Sequence, residues 1–195
     1  MPRNFSALPV LIALATGSFA IGTTEFATMS LLPFIEDGLS IDPTTASHII
    51  SAYALGVVFG APVITVLAAR VARKPLLLVL MSLFALGNAL SAVAPSYGSL
   101  MLCRFLAGIP HGAYFGLASL VAASVVDPAK RTQAVGYVML GLTTATVVGV
   151  PLATWLGHAA GWRAGYWVIT AIALSAVVLI AIYAPRDRAA SDASA

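Results

Sequence analysis

Long apolar stretches separated by short joints set the pattern of this chain. Hydrophobic and small residues run through positions 8–35, 45–69, 75–94, 98–125, 132–156 and 164–184. Each run holds about 20 residues or more, enough for a helix to cross a hydrocarbon core of about 30 Å. Backbone groups in lipid have no water to bond, so the crossing segments are predicted to be helical. The short alternating strands of a membrane β-barrel do not occur. The joints carry end signals. Asp42-Pro43-Thr44-Thr45 reads as a cap and helix start, Arg73-Lys74-Pro75 as a turn into the next helix, and Ala94-Pro95-Ser96-Tyr97-Gly98 as a tight turn. Asp127-Pro128 marks the joint before the fifth run. The pattern predicts an all-α membrane protein of six transmembrane helices, with one membrane domain over 1–185 and a flexible tail over 186–195.

Composition agrees. Of 195 residues, 60% are hydrophobic and 9% charged, against about 25% charged in soluble domains. A formal charge of +3 would fit nucleic acid only if the basic residues formed a patch, and they sit instead in the joints. Nucleic acid is therefore not an expected partner; membrane lipid is. Arg3, Arg70, Arg73, Lys74, Lys130, Arg131, Arg186 and Arg188 fall on one side, Arg163 on the other, and Arg104 within a span. The positive-inside rule makes the richer side cytoplasmic, with both termini there. Glu36, Asp37 and Asp42 then lie outside, and Trp155, Trp162 and Trp167 form an outer interfacial belt. The first run is too long for a signal-peptide core and reads as an uncleaved span. Cys103 is the single cysteine, which leaves no intrachain disulfide and reads as a small packing residue.

Polar residues inside the spans are the candidate chemistry. Glu25 lies in the first span among apolar and small residues, on a stripe with Ser18, Gly22 and Met29. A carboxylate at a helix centre costs about 2.5–3.5 kcal/mol on insertion scales. Protonation or a positive partner lowers that cost, and either makes the acid useful for exchanging a proton against a substrate. The alternative is a structural acid bonded to neighbouring helices. Arg104 is the basic residue well inside a span; it lies about 9 Å below the outer end of its helix, and Glu25 about 15 Å below its own. Such depths allow an ion pair or a water-bridged contact, with snorkelling of Arg104 to the headgroups as the alternative. His111 follows on the Arg104 stripe, either as a proton relay or substrate contact or as a histidine satisfied by a backbone carbonyl. His48 reads as interfacial, His158 receives no role, and the three histidines are too scattered for a metal site.

Small residues recur every fourth position: Gly141, Ala145, Gly149, Ala153 and Gly157 in the fifth span, Gly108, Gly112 and Gly116 in the fourth, Gly56 and Gly60 in the second. Such stripes let helix backbones approach closely. Pro151 removes a backbone bond beside Gly149 and is expected to bend the fifth span, serving either a rocking helix or static packing.

These features resemble the N-terminal six-helix half of major facilitator superfamily transporters, in the twelve-span drug:proton antiporter group. The segment from Ala61 to Lys74 falls where that family carries its motif between spans two and three, and Arg70, Arg73 and Lys74 match its basic positions. Thr65 and Ala72 stand where the family has glycines, and Ala69 where it has the acid that latches the cytoplasmic gate. The form with Ala69 is similar to the arabinose- and purine-efflux-like subgroup. Arg104 to Gly112 matches the span-four motif, whose arginine the family associates with proton coupling. Gly141 to Gly157, with Gly149-Val150-Pro151, resembles the antiporter motif of span five. Ile21-Gly22-Thr23-Thr24-Glu25-Phe26 with Leu31-Leu32-Pro33 resembles the first-span signature, in which the acid is a proton or substrate site.

The resemblance implies proton-coupled efflux of a small molecule (a drug, sugar, or nucleoside or purine) driven by the proton gradient, with no cofactor. Glu25, Arg104 and His111 are the expected proton and substrate residues, Arg70, Arg73 and Lys74 the gating loop, and Gly108, Gly112, Gly141, Gly149 and Pro151 the packing and bending positions. Six spans leave those polar stripes facing lipid unless a second half covers them. The leading expectation is a parallel homodimer about a membrane-normal axis. The alternatives are a half that needs a complementary C-terminal half, and a non-transporting scaffold or regulatory subunit. No Walker loop, nucleophile elbow or metal-ligand cluster suggests an enzyme.

Overall fold

The computed structural model describes residues 7–68 and 71–186. Arg70 of the expected gating loop, Ala69, and the tail beyond 186 lie outside the described residues. The helices are α1 (Ala7–Leu39), α2 (Pro43–Ala68), α3 (Arg73–Ala92), α4 (Tyr97–Gly108), α5 (His111–Ser124), α6 (Arg131–Thr144), α7 (Val150–Ala160) and α8 (Trp162–Tyr183). Among the described residues they make six membrane-length spans, the fourth being Tyr97–Ser124 and the fifth Pro128–Ala160.

The spans begin ahead of the apolar runs, and the first and fifth also end beyond theirs, because apolarity marks the part in hydrocarbon while backbone bonding continues into the headgroup region. The first run ends at 35, yet α1 carries Glu36 and Asp37 and stops at Leu39. There Ser40 turns to φ 53°, and the Ile41 N–H donates to the Glu36 carbonyl at 3.1 Å, a left-handed helix close. Asp42 then caps α2, accepting from the Thr45 N–H at 3.1 Å and the Thr45 hydroxyl at 2.5 Å. The Thr45 bonds hold the Asp42 carboxyl below its ordinary range. Ser96 and Ser99 form a reciprocal capping box at the start of α4. Gly161 adopts φ 81° between α7 and α8, a conformation that favours glycine.

Two spans are interrupted. Pro110 lacks an N–H and divides the fourth span, leaving His111 as the first residue of α5. In the fifth span the disturbance expected from Pro151 takes the form of a π-helical turn over Ala145–Gly149, closed by the Val150 N–H donating to the Ala145 carbonyl. The ring of Pro151 crowds the preceding turn, and the wider π turn relieves it.

The first span runs through the middle of the bundle, against α2, α6, α7 and α8; α3 lies between α8 and α4, and α2 packs on α4. Lipid tails are as apolar as leucine, so close packing rather than water exclusion joins these helices. A β-carbon at Gly108 would strike the Tyr53 carbonyl on α2, and one at Gly56 the Phe105 carbonyl on α4. A β-carbon at Gly112 would lie 2.9 Å from the Ala61 Cβ. Gly141 abuts the Ala15 carbonyl and Gly149 the Thr23 hydroxyl, so the fifth-span stripe lies along α1. Gly116, on the same fourth-span stripe, opens onto free space. The second and fifth spans are the least enclosed, with 28% and 22% of their apolar windows buried against 61% for the first.

Candidate functional site

Arg104 does not snorkel. Its side chain is 1% exposed and points into the bundle. One guanidinium nitrogen donates to the Thr24 hydroxyl at 3.0 Å and the Asn88 side-chain oxygen at 3.4 Å, and the other to the Thr24 carbonyl at 3.4 Å. The Thr24 hydroxyl in turn donates to the Asn88 oxygen at 2.5 Å, and the Asn88 amide is oriented by the Phe84 carbonyl at 2.9 Å. The faces of Tyr53 and Tyr166 lie 4.5 and 5.3 Å from the guanidinium carbon. No carboxylate among the described residues pairs with Arg104, and its Nε has no partner. A buried cation without a counter-ion is expensive; charge-assisted hydrogen bonds and two ring faces, each worth about 0.5–2 kcal/mol, offset it.

Glu25 does not meet Arg104. Successive side chains on a helix point about 100° apart, and it is Thr24 that faces the arginine. Glu25 points to the open side, 35% exposed at the side chain, with its Oε2 4.0 Å from Nε2 of His111, which is 13% exposed. The other nitrogen of His111, Nδ1, lies 2.9 Å from the Tyr53 hydroxyl. Histidine therefore meets a tyrosine and an acid rather than a backbone carbonyl. Phe115 flanks its ring at 5.2 Å between centroids. Tyr114 anchors the same turn of α5 to the first span by donating to the Leu14 carbonyl at 2.7 Å, over Gly17, where a β-carbon would clash. Thr28 extends the polar lining, 3.4 Å from the Tyr166 hydroxyl.

The site thus has an open compartment, Glu25 with His111, and a closed one, Arg104 with Thr24 and Asn88. Tyr53 stands between them. Tyr53, Asn88 and Tyr166 are not among the residues expected from the sequence, and Thr24 enters only as part of the first-span signature. Asn88 carries a signal, being an amide in the apolar third span; a tyrosine in a span carries none that separates packing from hydrogen bonding. Away from this site, Lys74 donates to the carbonyls of Ala181 at 2.7 Å and Ala184 at 2.8 Å, capping the end of α8. His48 bonds the Tyr97 hydroxyl at 3.1 Å near the start of α2.

A family model described as Major Facilitator Superfamily matches residues 14–195. The chain is 48% identical over 179 residues to the "Inner membrane transport protein YdhP" of Escherichia coli (strain K12), an alignment covering 92% of this chain and 46% of that protein. It is 36% identical over 183 residues to the "Chloramphenicol resistance protein" of Streptomyces lividans, covering 93% of this chain and 47% of that one. A solved bacterial homologue of the human lysosomal transporter Spinster, inward-facing and unoccupied, superposes with TM-score 0.77 at 17% identity, over 96% of this chain and 45% of that chain. The chain spans about half the length of the relatives it matches.

Proposed function

The chain belongs to the major facilitator superfamily, and on that premise we propose that it is one half of a proton-coupled exporter of small molecules. The observation that carries this reading is Glu25, an acid within the first span that is half open to the face of the bundle and 4.0 Å from His111. An acid so placed binds either a proton or a polar group of a substrate, and the two occupants exclude each other. Arg104, sealed behind Tyr53, supplies a fixed positive charge in the adjoining closed compartment. Export, rather than import, is supported by the likeness, 31% identical over 178 residues, to a "Probable sugar efflux transporter" of Helicobacter pylori.

The second half is a second copy, parallel to the first about an axis along the membrane normal. The lightly buried second and fifth spans supply the face it covers. A complementary C-terminal half is the alternative, favoured by the 46% coverage of the first relative. Both termini lie on the cytoplasmic side of an inner membrane in this reading, and Arg73 and Lys74 belong to a cytoplasmic gating loop.

The test uses the full chain in proteoliposomes with an internal pH dye and chloramphenicol as probe. Addition of chloramphenicol is expected to move protons in the wild type and not in Glu25→Gln. Equal proton movement in the two sinks the proton-site assignment. Crosslinking in native membranes that traps only single copies counts against the homodimer.

A further inference from the structure

We propose that Tyr53 is a positioning residue that sets the orientation and tautomer of His111 toward Glu25 and ties that pair to the buried Arg104. The inference rests on the reading of Glu25 and His111 as the exchange site.

Tyr53 is 4% exposed, so its hydroxyl must find a partner inside the bundle. That partner is Nδ1 of His111 at 2.9 Å. The ring of the same residue lies 4.5 Å from the Arg104 guanidinium carbon. One side chain therefore touches both compartments by different parts, the hydroxyl on one side and the aromatic face on the other. Gly108 makes this placement possible, because its bare Cα lets the Tyr53 backbone sit directly against the fourth span.

The bond at one imidazole nitrogen decides what the other presents. With the Tyr53 O–H donating to Nδ1, neutral His111 carries its proton on Nε2, facing the Glu25 carboxylate. When Glu25 takes up a proton, its carbonyl oxygen still accepts from the Nε2–H as the 4.0 Å gap closes, so the Tyr53 bond to Nδ1 and the tautomer are kept. The cycle gains one proton, and only Glu25 changes charge. The remaining ionisable groups around the pair are already engaged. Arg104 on α4 lies behind the Tyr53 ring, Tyr114 on α5 donates to the Leu14 carbonyl at 2.7 Å, and Tyr166 on α8 lies 3.4 Å from the Thr28 hydroxyl.

The chain has three histidines, which makes imidazole nitrogen-15 resonance spectra of the full chain in lipid nanodiscs assignable; loss of a signal in His111→Gln identifies it. Tyr53→Phe keeps the ring on Arg104 and removes the hydroxyl. It is expected to mix or invert the His111 tautomer and to move its titration midpoint by about half a pH unit or more, with helix content and melting unchanged. A second probe, 3-fluorotyrosine at 53, keeps both parts and donates more strongly; it is expected to enrich the Nε2–H form. An unmoved His111 signal and midpoint with both replacements overturns the proposal. If Glu25→Gln leaves His111 unmoved while Tyr53→Phe shifts it, the exchange-site reading fails and the role of Tyr53 stands. The opposite pattern sinks Tyr53 alone.

Discussion

Asn88→Ala tests whether the polar cluster behind Tyr53 holds Arg104 or merely accompanies it. The substitution removes the acceptor of two bonds, from the Thr24 hydroxyl at 2.5 Å and from Arg104 at 3.4 Å. A neutral hydrogen bond inside a membrane protein contributes about 0.6 kcal/mol on average and up to about 1.7. A bond from a charged donor contributes about 1.5–3 kcal/mol at good geometry, and at this length the lower end applies. Arg104 keeps the Thr24 hydroxyl, the Thr24 carbonyl and both tyrosine faces. The expected loss is therefore about 2 kcal/mol of stability, read by denaturant unfolding of the full chain in mixed micelles. The deciding measurement is the double-mutant cycle with Arg104→Leu. Removing the buried cation altogether is expected to be close to neutral for stability, and in that background Asn88→Ala should cost about 1 kcal/mol less than in the wild type. Equal costs in the two backgrounds would refute the assignment of Asn88 as a partner of the guanidinium.

Two further outcomes follow from packing and capping. Gly108→Leu drives a side chain into the Tyr53 carbonyl and should abolish folded protein in detergent, whereas Gly98→Ala, with open space around it, should be neutral or stabilise by about 0.5–1 kcal/mol; gel-filtration and melting profiles check both, and a well-folded Gly108→Leu overturns the close-approach account. Lys74→Met keeps the apolar stem and loses both bonds to the end of α8, so amide exchange at 181–184 should quicken while the rest of α8 is unchanged; unaltered exchange there removes the cap.

The six spans were legible in the amino-acid order because lipid permits few alternatives: an apolar run of sufficient length must be a helix, and Asp42 and Ser96 cap the helices that follow their joints. The arrangement around the site was less legible, because depth along a helix can be counted but direction around it cannot. Glu25 and Thr24 are neighbours in sequence and serve different compartments, one meeting His111 and the other Arg104. From the sequence Arg104 is expected to reach Glu25 or, alternatively, the headgroups, since nothing in its own helix announces that Tyr53, Tyr166, Thr24 and Asn88 arrive from four other helices to enclose it. Aromatic side chains hide this role best, because a tyrosine that packs and a tyrosine that orients a histidine are spelled alike.

The central place of α1 has a consequence for biogenesis. It leaves the ribosome before α6, α7 and α8, which enclose it. Until they arrive, Ser18 and Thr23, which lie against Gly141 and Gly149 in the fifth span, have no helix to shield them. Helix α1 must therefore hold its place until α7 and α8 are delivered, so a stall in translation before α6 leaves a product fit for quality-control proteolysis.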